Sequence, residues 1–335
     1  MTVSLLSLCA LWSVSAVAAK KDDEETLRPP PKPAHATQPA GVAKPDKIYF
    51  KGTHVGSMIT HVAKYEDTLV DLARRYDVGF VELRAANPDI DPWMPGAKMK
   101  ITIPSMHILP EGPRQGIVIN LPEMRIYAYM KPGQPPFSAP LGIGREGLET
   151  PVGITSIVNK REKPIWRPTA RMRKEDPTLP EIVPAGPDNP LGEYAMYLGW
   201  SEYRIHGTNK PYGVGRRASS GCIRMYPEDI ERLFPQVPVG TPVTVVDQPV
   251  KVAWIDDKLF VEAHSSLSQA SKIENEGGLP HYEMSDDDMA AIVRMAGEYA
   301  HLVDWAVVRR LIRERPGYPV VVAHRTAAVA VKAKS

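Results

Sequence analysis

The chain has 335 residues, enough for two or three domains. Its 41 basic residues against 39 acidic leave a net charge of +2, which excludes the strong field of a nucleic-acid or membrane-surface binder. Thirty-four prolines argue against a helical bundle and for short strands, rigid loops and at least one extended linker.

Val3 to Ala19 is a run of apolar and small residues with no charged side chain before Lys20. It falls below the roughly 20 residues that span a bilayer. It ends in Ala16-Val17-Ala18-Ala19, an A-x-A choice of cleavage site, so a signal peptide over 1–19 is expected. Leu8 before Cys9 is too bulky for lipoprotein-type cleavage. With the leader removed, Cys222 is the one cysteine left. A lone thiol in an oxidising compartment cannot form an internal disulfide, so it is either buried and inert or kept for chemistry.

Residues 20–57 read as a spacer, a charged patch followed by Pro29-Pro30-Pro31-Lys32-Pro33 and further prolines to Pro45. Residues 58–104 then read as strand, helix, helix, strand. Met58 to Ala63 suits the first strand. Asp67 or Thr68 caps a helix whose Leu69, Leu72, Ala73 and Tyr76 recur at helical spacing. A second helix turns Phe80, Leu83 and Ala86 inward and stops at Asn87-Pro88. Met99, Ile101 and Ile103 alternate as the closing strand.

Gly116 to Met130 reads as a hairpin, Ile117 to Asn120 and Met124 to Met130 about a turn at Leu121-Pro122-Glu123. Short strands are expected near Pro140 to Ile143, Ile154 to Val158 and Ala195 to Leu198. Long loops between them would build the site. Trp166 to Pro190 has no strong period and is long enough for a lid or a cleft wall. Thr241 to Val246, Val250 to Ile255 and Leu259 to Ala263 continue the strands, with Asp256-Asp257 at a turn. In the tail, Ser285 caps a helix carrying Met289, Ile292, Val293 and Ala296. Asp304 caps another carrying Val308, Leu311 and Ile312, which ends before Pro316-Gly317. Both are expected to pack on a neighbouring domain and carry no chemistry. The fold class is α+β, mainly β.

The chemistry concentrates between Tyr203 and Phe234, where His206-Gly207 precedes a loop rich in Gly and Arg and then Ser219-Ser220-Gly221-Cys222-Ile223-Arg224. A thiol nucleophile needs a base within hydrogen-bond reach and a group that orients the base. Cys222 and His206 fill the first two roles. Gly221 lets the backbone fold sharply beside the thiol. Arg224 and the pair Arg216-Arg217 put positive charge nearby, which would favour thiolate and could hold a carboxylate. Gly213-Val214-Gly215-Arg216-Arg217-Ala218 matches a dinucleotide fingerprint but lacks the helix that must follow it. A zinc site at His206 and Cys222 lacks further ligands, since His54, His61 and His107 lie in another region. No cofactor or metal is expected, and no nucleic acid.

The pattern His206-Gly207, with fifteen residues between His206 and Cys222, and Ser-x-Gly-Cys-x-Arg about the cysteine resembles the L,D-transpeptidase (YkuD-type) catalytic domain. Ile205, Thr208-Asn209, Met225 and Asp229, with Thr150-Pro151-Val152-Gly153 and the stretch Pro184 to Gly192, fit its Gram-negative periplasmic branch. The resemblance covers roughly Gln115 to Val246 and implies a domain over 115–246, with a hairpin and helical extension over 247–335. It implies Cys222 as nucleophile, His206 as base and the Gly207 carbonyl as its orienter, with Ser220, Gly221 and Arg224 at the substrate. Many members carry histidine where Ser220 stands, so the base here must be His206. The implied reaction is acyl transfer on peptidoglycan stems, through a thioester that releases D-alanine. The acceptor is an amine of another stem, an outer-membrane protein lysine, or water, which would make the enzyme an L,D-carboxypeptidase. Carbapenem-type inhibitors are implied as ligands of the thiol.

Tyr65-Glu66-Asp67-Thr68-Leu69, Ala86-Asn87-Pro88 and Trp93-Met94-Pro95-Gly96 resemble a LysM module, implying glycan binding over 58–104. Glu66 departs from the usual glycine. The competing class is a wall-binding scaffold without activity, which the presence of both Cys222 and His206 disfavours.

Overall fold

Ile117, Ile119 and Ile126 are fully buried, and the hairpin that carries them lies inside the largest sheet, one strand from its edge. A computed structural model describes residues 50–276 and 283–325, all within one unit that runs from Pro45 to Ser335. The expected signal peptide and most of the proline-rich spacer lie outside the described residues.

At the N-terminal end, β1 (His54–Val55) precedes β2 (Ile59–Val62), α1 (Leu69–Arg75), α2 (Phe80–Ala85), β3 (Lys100–Ile103) and β4 (His107–Ile108). β2 pairs antiparallel with β3, and β1 with β4. The spacer expected to reach residue 57 therefore gives way to ordered backbone earlier, because His54 and Val55 find partners in Ile108 and His107. Thr68 is the N-cap of α1, its hydroxyl accepting the Asp71 N–H at 3.1 Å. Asp67 instead accepts from the Lys64 N–H, His61 and Arg75, and these bonds hold its pKa down to about 2. Leu72, Leu83 and Ile101 of this βααβ unit join Ile119 and Ile126 in one hydrophobic core.

The sheet continues with β5 (Gly116–Asn120), β6 (Arg125–Tyr129), β7 (Phe137–Pro140), β8 (Ile143–Gly144) and β9 (Gly153–Glu162). Then come α3 (Ala170–Glu175), β10 (Tyr194–Leu198), β11 (Arg204–His206), β12 (Arg217–Ser219), β13 (Ile223–Arg224), α4 (Pro227–Leu233) and β14 (Pro242–Val246). Eight of these strands form a mixed sheet in the order β13-β11-β10-β9-β14-β5-β6-β7, while β8 pairs with β12.

A third layer follows in β15 (Val250–Ile255), β16 (Lys258–Ala263), α5 (Leu267–Glu276), α6 (Asp286–Ala296), α7 (Trp305–Glu314) and β17 (Val320–His324). Ser285 and Asp304 cap α6 and α7 as their sequence suggests. The two helices cover their own sheet, since Ile292, Val308, Leu311 and Ile312 pack with Leu259 and Val261 from β16. β17 completes that sheet at the far end of the sequence, which local pattern did not show.

Where the layers meet, a chain of buried charges lies beside the apolar contacts that Ala270 and Ile273 of α5 make with the main core. Lys251 Nζ lies 2.9 Å from Glu262 Oε1, donates to the Ile108 carbonyl at 2.7 Å and pairs with Glu123. His264 Nε2 and the Ile108 N–H each bond Glu262 at 2.6 Å. Glu82 of α2 faces Arg125 and His107, each at 3.4 Å, and its burial raises its pKa to about 7.

Candidate active site

β11 and β13 pair in parallel, Ile205 beside Ile223 and His206 beside Arg224. Side chains alternate along a strand, so Arg204 and His206 leave β11 on one face. One step back in the same register, Cys222 comes alongside Arg204. Arg204, His206, Cys222 and Arg224 line one open cleft.

His206 is buried, and its Nδ1 lies 2.5 Å from the Gly207 carbonyl oxygen. A carbonyl can only accept, so Nδ1 carries the proton and Nε2 keeps its lone pair for a substrate or a thiol. Burial, then the Arg224 charge, brings the imidazole pKa down to about 3, so the ring is neutral at neutral pH.

Cys222 is half-buried, with Sγ 3.4 Å from the Glu202 carbonyl oxygen. The nearby arginines were expected to favour thiolate. Burial outweighs them and pushes the thiol above its ordinary range, against the opposing pull of the Arg204 guanidinium and backbone N–H and then of Arg224. The pair therefore rests as neutral thiol and neutral imidazole.

The turn that presents Cys222 is held from three sides. Ser219 Oγ donates to the Cys222 carbonyl and accepts the Gly221 N–H at 3.2 Å. Gly221 has φ +102, and a Cβ there would sit 3.1 Å from Tyr203 Cε1, so glycine is required. Thr150 Oγ1 donates to the Gly221 carbonyl at 3.0 Å and accepts the Gly144 N–H at 3.2 Å. Asn189, fully buried, donates to the carbonyls of Pro164 and Pro184 and accepts the Leu191 N–H at 2.9 Å. It thereby fixes Pro190 and Leu191 on the cleft rim.

Residues 166–190 contribute a wall rather than a featureless loop. Trp166, Arg167, Thr169, Arg171 and Met172 line the cleft, the last two on α3, which Thr169 caps. Ser220 and Arg224 line it too, while Gly207 and Gly221 shape it through their backbone. Arg216 and Arg217 are not part of it. Arg216 pairs with Glu274 at 2.8 Å and lies 3.8 Å from the Phe80 ring centre, and Arg217 bonds the carbonyls of Gly144 and Leu267. The glycines of that loop serve packing. Gly215, at φ +74, lets the loop meet α2, where its carbonyl accepts the Val81 N–H at 3.1 Å. Sequence reasoning passed over Arg204 and Glu202, although strand alternation from His206 places Arg204 on the reactive face.

Residues 114–245 match the model of the YkuD family, the L,D-transpeptidase catalytic domain. Probable L,D-transpeptidase ErfK/SrfK of Salmonella typhimurium is 43% identical over 223 residues, 64% of this chain and 72% of the relative. Probable L,D-transpeptidase YcfS of Escherichia coli K12 is 42% identical over 226 residues, 64% and 70% of the two chains. Probable L,D-transpeptidase YbiS of the same organism is 39% identical over 254 residues, 74% and 81%. Fold and matches together define an acyltransferase of the transpeptidase class. The chain belongs to the L,D-transpeptidase family.

Proposed function

We propose that Cys222 opens the reaction on a peptidoglycan tetrapeptide stem, at the carbonyl of the L-centre of its diamino acid. His206 Nε2 takes the thiol proton as the S–C bond forms, then delivers it to the leaving D-alanine nitrogen as the amide C–N bond breaks. The thioester left on Cys222 is opened by an amine, whose proton passes through His206 back to sulfur. The Gly207 carbonyl holds the imidazole tautomer throughout, where a carboxylate stands in a Ser-His-Asp triad. Ser220 and Gly221 border the bound donor. The observation that carries this reading is the Nδ1 contact of His206 with the Gly207 oxygen, in a cleft shared with Cys222.

The enzyme works in the periplasm after export, with its βααβ unit acting as a LysM module on the glycan. Its acceptor is an amine of a second stem or of an outer-membrane protein. Exposed Tyr65, Trp93 and Met94 on that unit suit stacking on sugars. Purified protein incubated with disaccharide-tetrapeptide releases D-alanine, followed by mass spectrometry, and a carbapenem leaves one adduct that Cys222→Ala abolishes. An adduct that persists in that variant, or no release by the wild type, overturns the reading.

A further inference from the structure

Four guanidinium groups line the cleft, those of Arg167, Arg171, Arg204 and Arg224, against the single carboxylate of Glu202. Two of the four are accounted for. Arg171 is paired with Glu175 at 2.8 Å, and Arg167 is exposed to water. Arg204 and Arg224 are different. Among the described residues neither has a carboxylate within ion-pair distance. Arg224 is desolvated enough that burial lowers its pKa. Arg204 donates through Nη2 to the Glu202 carbonyl at 3.2 Å and rests 5.5 Å from the Tyr197 ring centre, but its buried Nε has no hydrogen-bond partner. Withdrawing Arg224 from water without a counter-charge is costly, and an anionic ligand offsets that cost, while Arg204 is half-buried. The strand register places the two arginines on either side of Cys222 and His206.

We infer that Arg204 is a specificity-determining residue that, together with Arg224, holds a free carboxylate of the acyl donor beside the carbonyl attacked by Cys222. The inference rests on the peptide-stem reading of the site and adds the chemistry by which the donor is recognised. A planar guanidinium suits a carboxylate in a way that a point charge does not, because it offers two parallel N–H donors. Two of the donor's carboxylates flank the attacked carbonyl, that of the terminal D-alanine and that of the far centre of the diamino acid. An uncharged acyl donor of the same length leaves both cations unmatched.

Calorimetry on a Cys222→Ala background separates binding from turnover. The probes are the disaccharide-tetrapeptide and two analogues, amidated at the terminal or at the far-centre carboxylate. Adding Arg204→Gln weakens the free acid about 10- to 100-fold, the loss of one charge-assisted contact. Arg204→Lys recovers part of it. One analogue binds the two backgrounds equally, and so names the carboxylate that is held. Equal weakening of all three peptides, no weakening of any, or no binding of the free acid to the parent overturns the inference. A thermal midpoint matching the parent shows that the variant is folded. With Cys222 present, Arg204→Gln raises KM for D-alanine release and keeps kcat within a few-fold. A fall in kcat common to all three donors overturns the inference, since it marks an effect on the thiol alone. Failure of the wild type to release D-alanine counts against the peptide-stem reaction, and the calorimetry still decides what Arg204 binds.

Discussion

The hydroxyl of Thr150 donates to the carbonyl of Gly221 at 3.0 Å, tying together two segments 71 residues apart. The residue before Cys222 is thereby clamped from outside its own loop. Thr150→Val keeps the shape and removes the bond, leaving the Gly144 N–H without its acceptor as well. It lowers stability by about 1–3 kcal/mol and cuts kcat/KM more than the stability loss explains. Thermal melts beside D-alanine release check both halves. Unchanged kinetics in a destabilised variant would show that the clamp serves the fold alone.

Burial pushes the Cys222 thiol upward and the His206 imidazole down, so the resting pair carries little thiolate at pH 7. Alkylation by iodoacetamide, read by mass, is slow at neutral pH and its rate climbs with pH, reaching half its maximum on the alkaline side of an ordinary thiol's midpoint. A plateau already reached near pH 6 would mean a preformed thiolate–imidazolium pair, and this description of the site would then fail.

The same burial of His206 has a stability consequence whose sign follows from linkage. Its pKa is about 3 when folded and 6.5 in its ordinary setting, so the unfolded chain binds the extra proton between those values. The cost is absent above pH 6.5, grows as pH falls, and is complete below pH 3. His206→Asn removes this cost. Relative to wild type, the variant gains roughly 2 kcal/mol between pH 7 and pH 5 in urea titrations. A pH-independent difference between the two proteins would refute the buried neutral ring.

Lys251 neutralises two buried carboxylates, Glu123 from the turn between β5 and β6 and Glu262 from β16 of the C-terminal sheet. Lys251→Met leaves them facing each other in a dry interior and costs about 3–5 kcal/mol in urea unfolding. Lys251→Met combined with Glu123→Gln recovers part of that loss. Should the single variant melt like wild type, the network would be incidental to the union of the two sheets.

Local chemistry made much of this legible. Ser285 and Asp304 lie ahead of apolar helical periods, and both cap as read. The hairpin of β5 and β6 was legible as two strands about the turn at Leu121-Pro122-Glu123, and nearly all its strand residues are buried on both faces. His206 and Cys222 were singled out because a thiol mechanism needs few residue types and Cys222 is the one cysteine past residue 9, while Gly207 entered through the family resemblance. Thr150 and Asn189 stood in recognisable stretches, but their bonds cross distances in sequence that no local pattern reports.

By itself, the sequence determined which atoms can react, since that depends on the side chains present and on short spacings. Tertiary structure alone decided their ionisation and their company. Arg216 and Arg217 are six and five positions before Cys222 yet turn toward Glu274 and the Leu267 carbonyl, while Arg204, eighteen positions away, lies beside the sulfur. Desolvation depends on everything packed around a group, so the sign of the thiol shift could not be read from neighbouring charges in the chain.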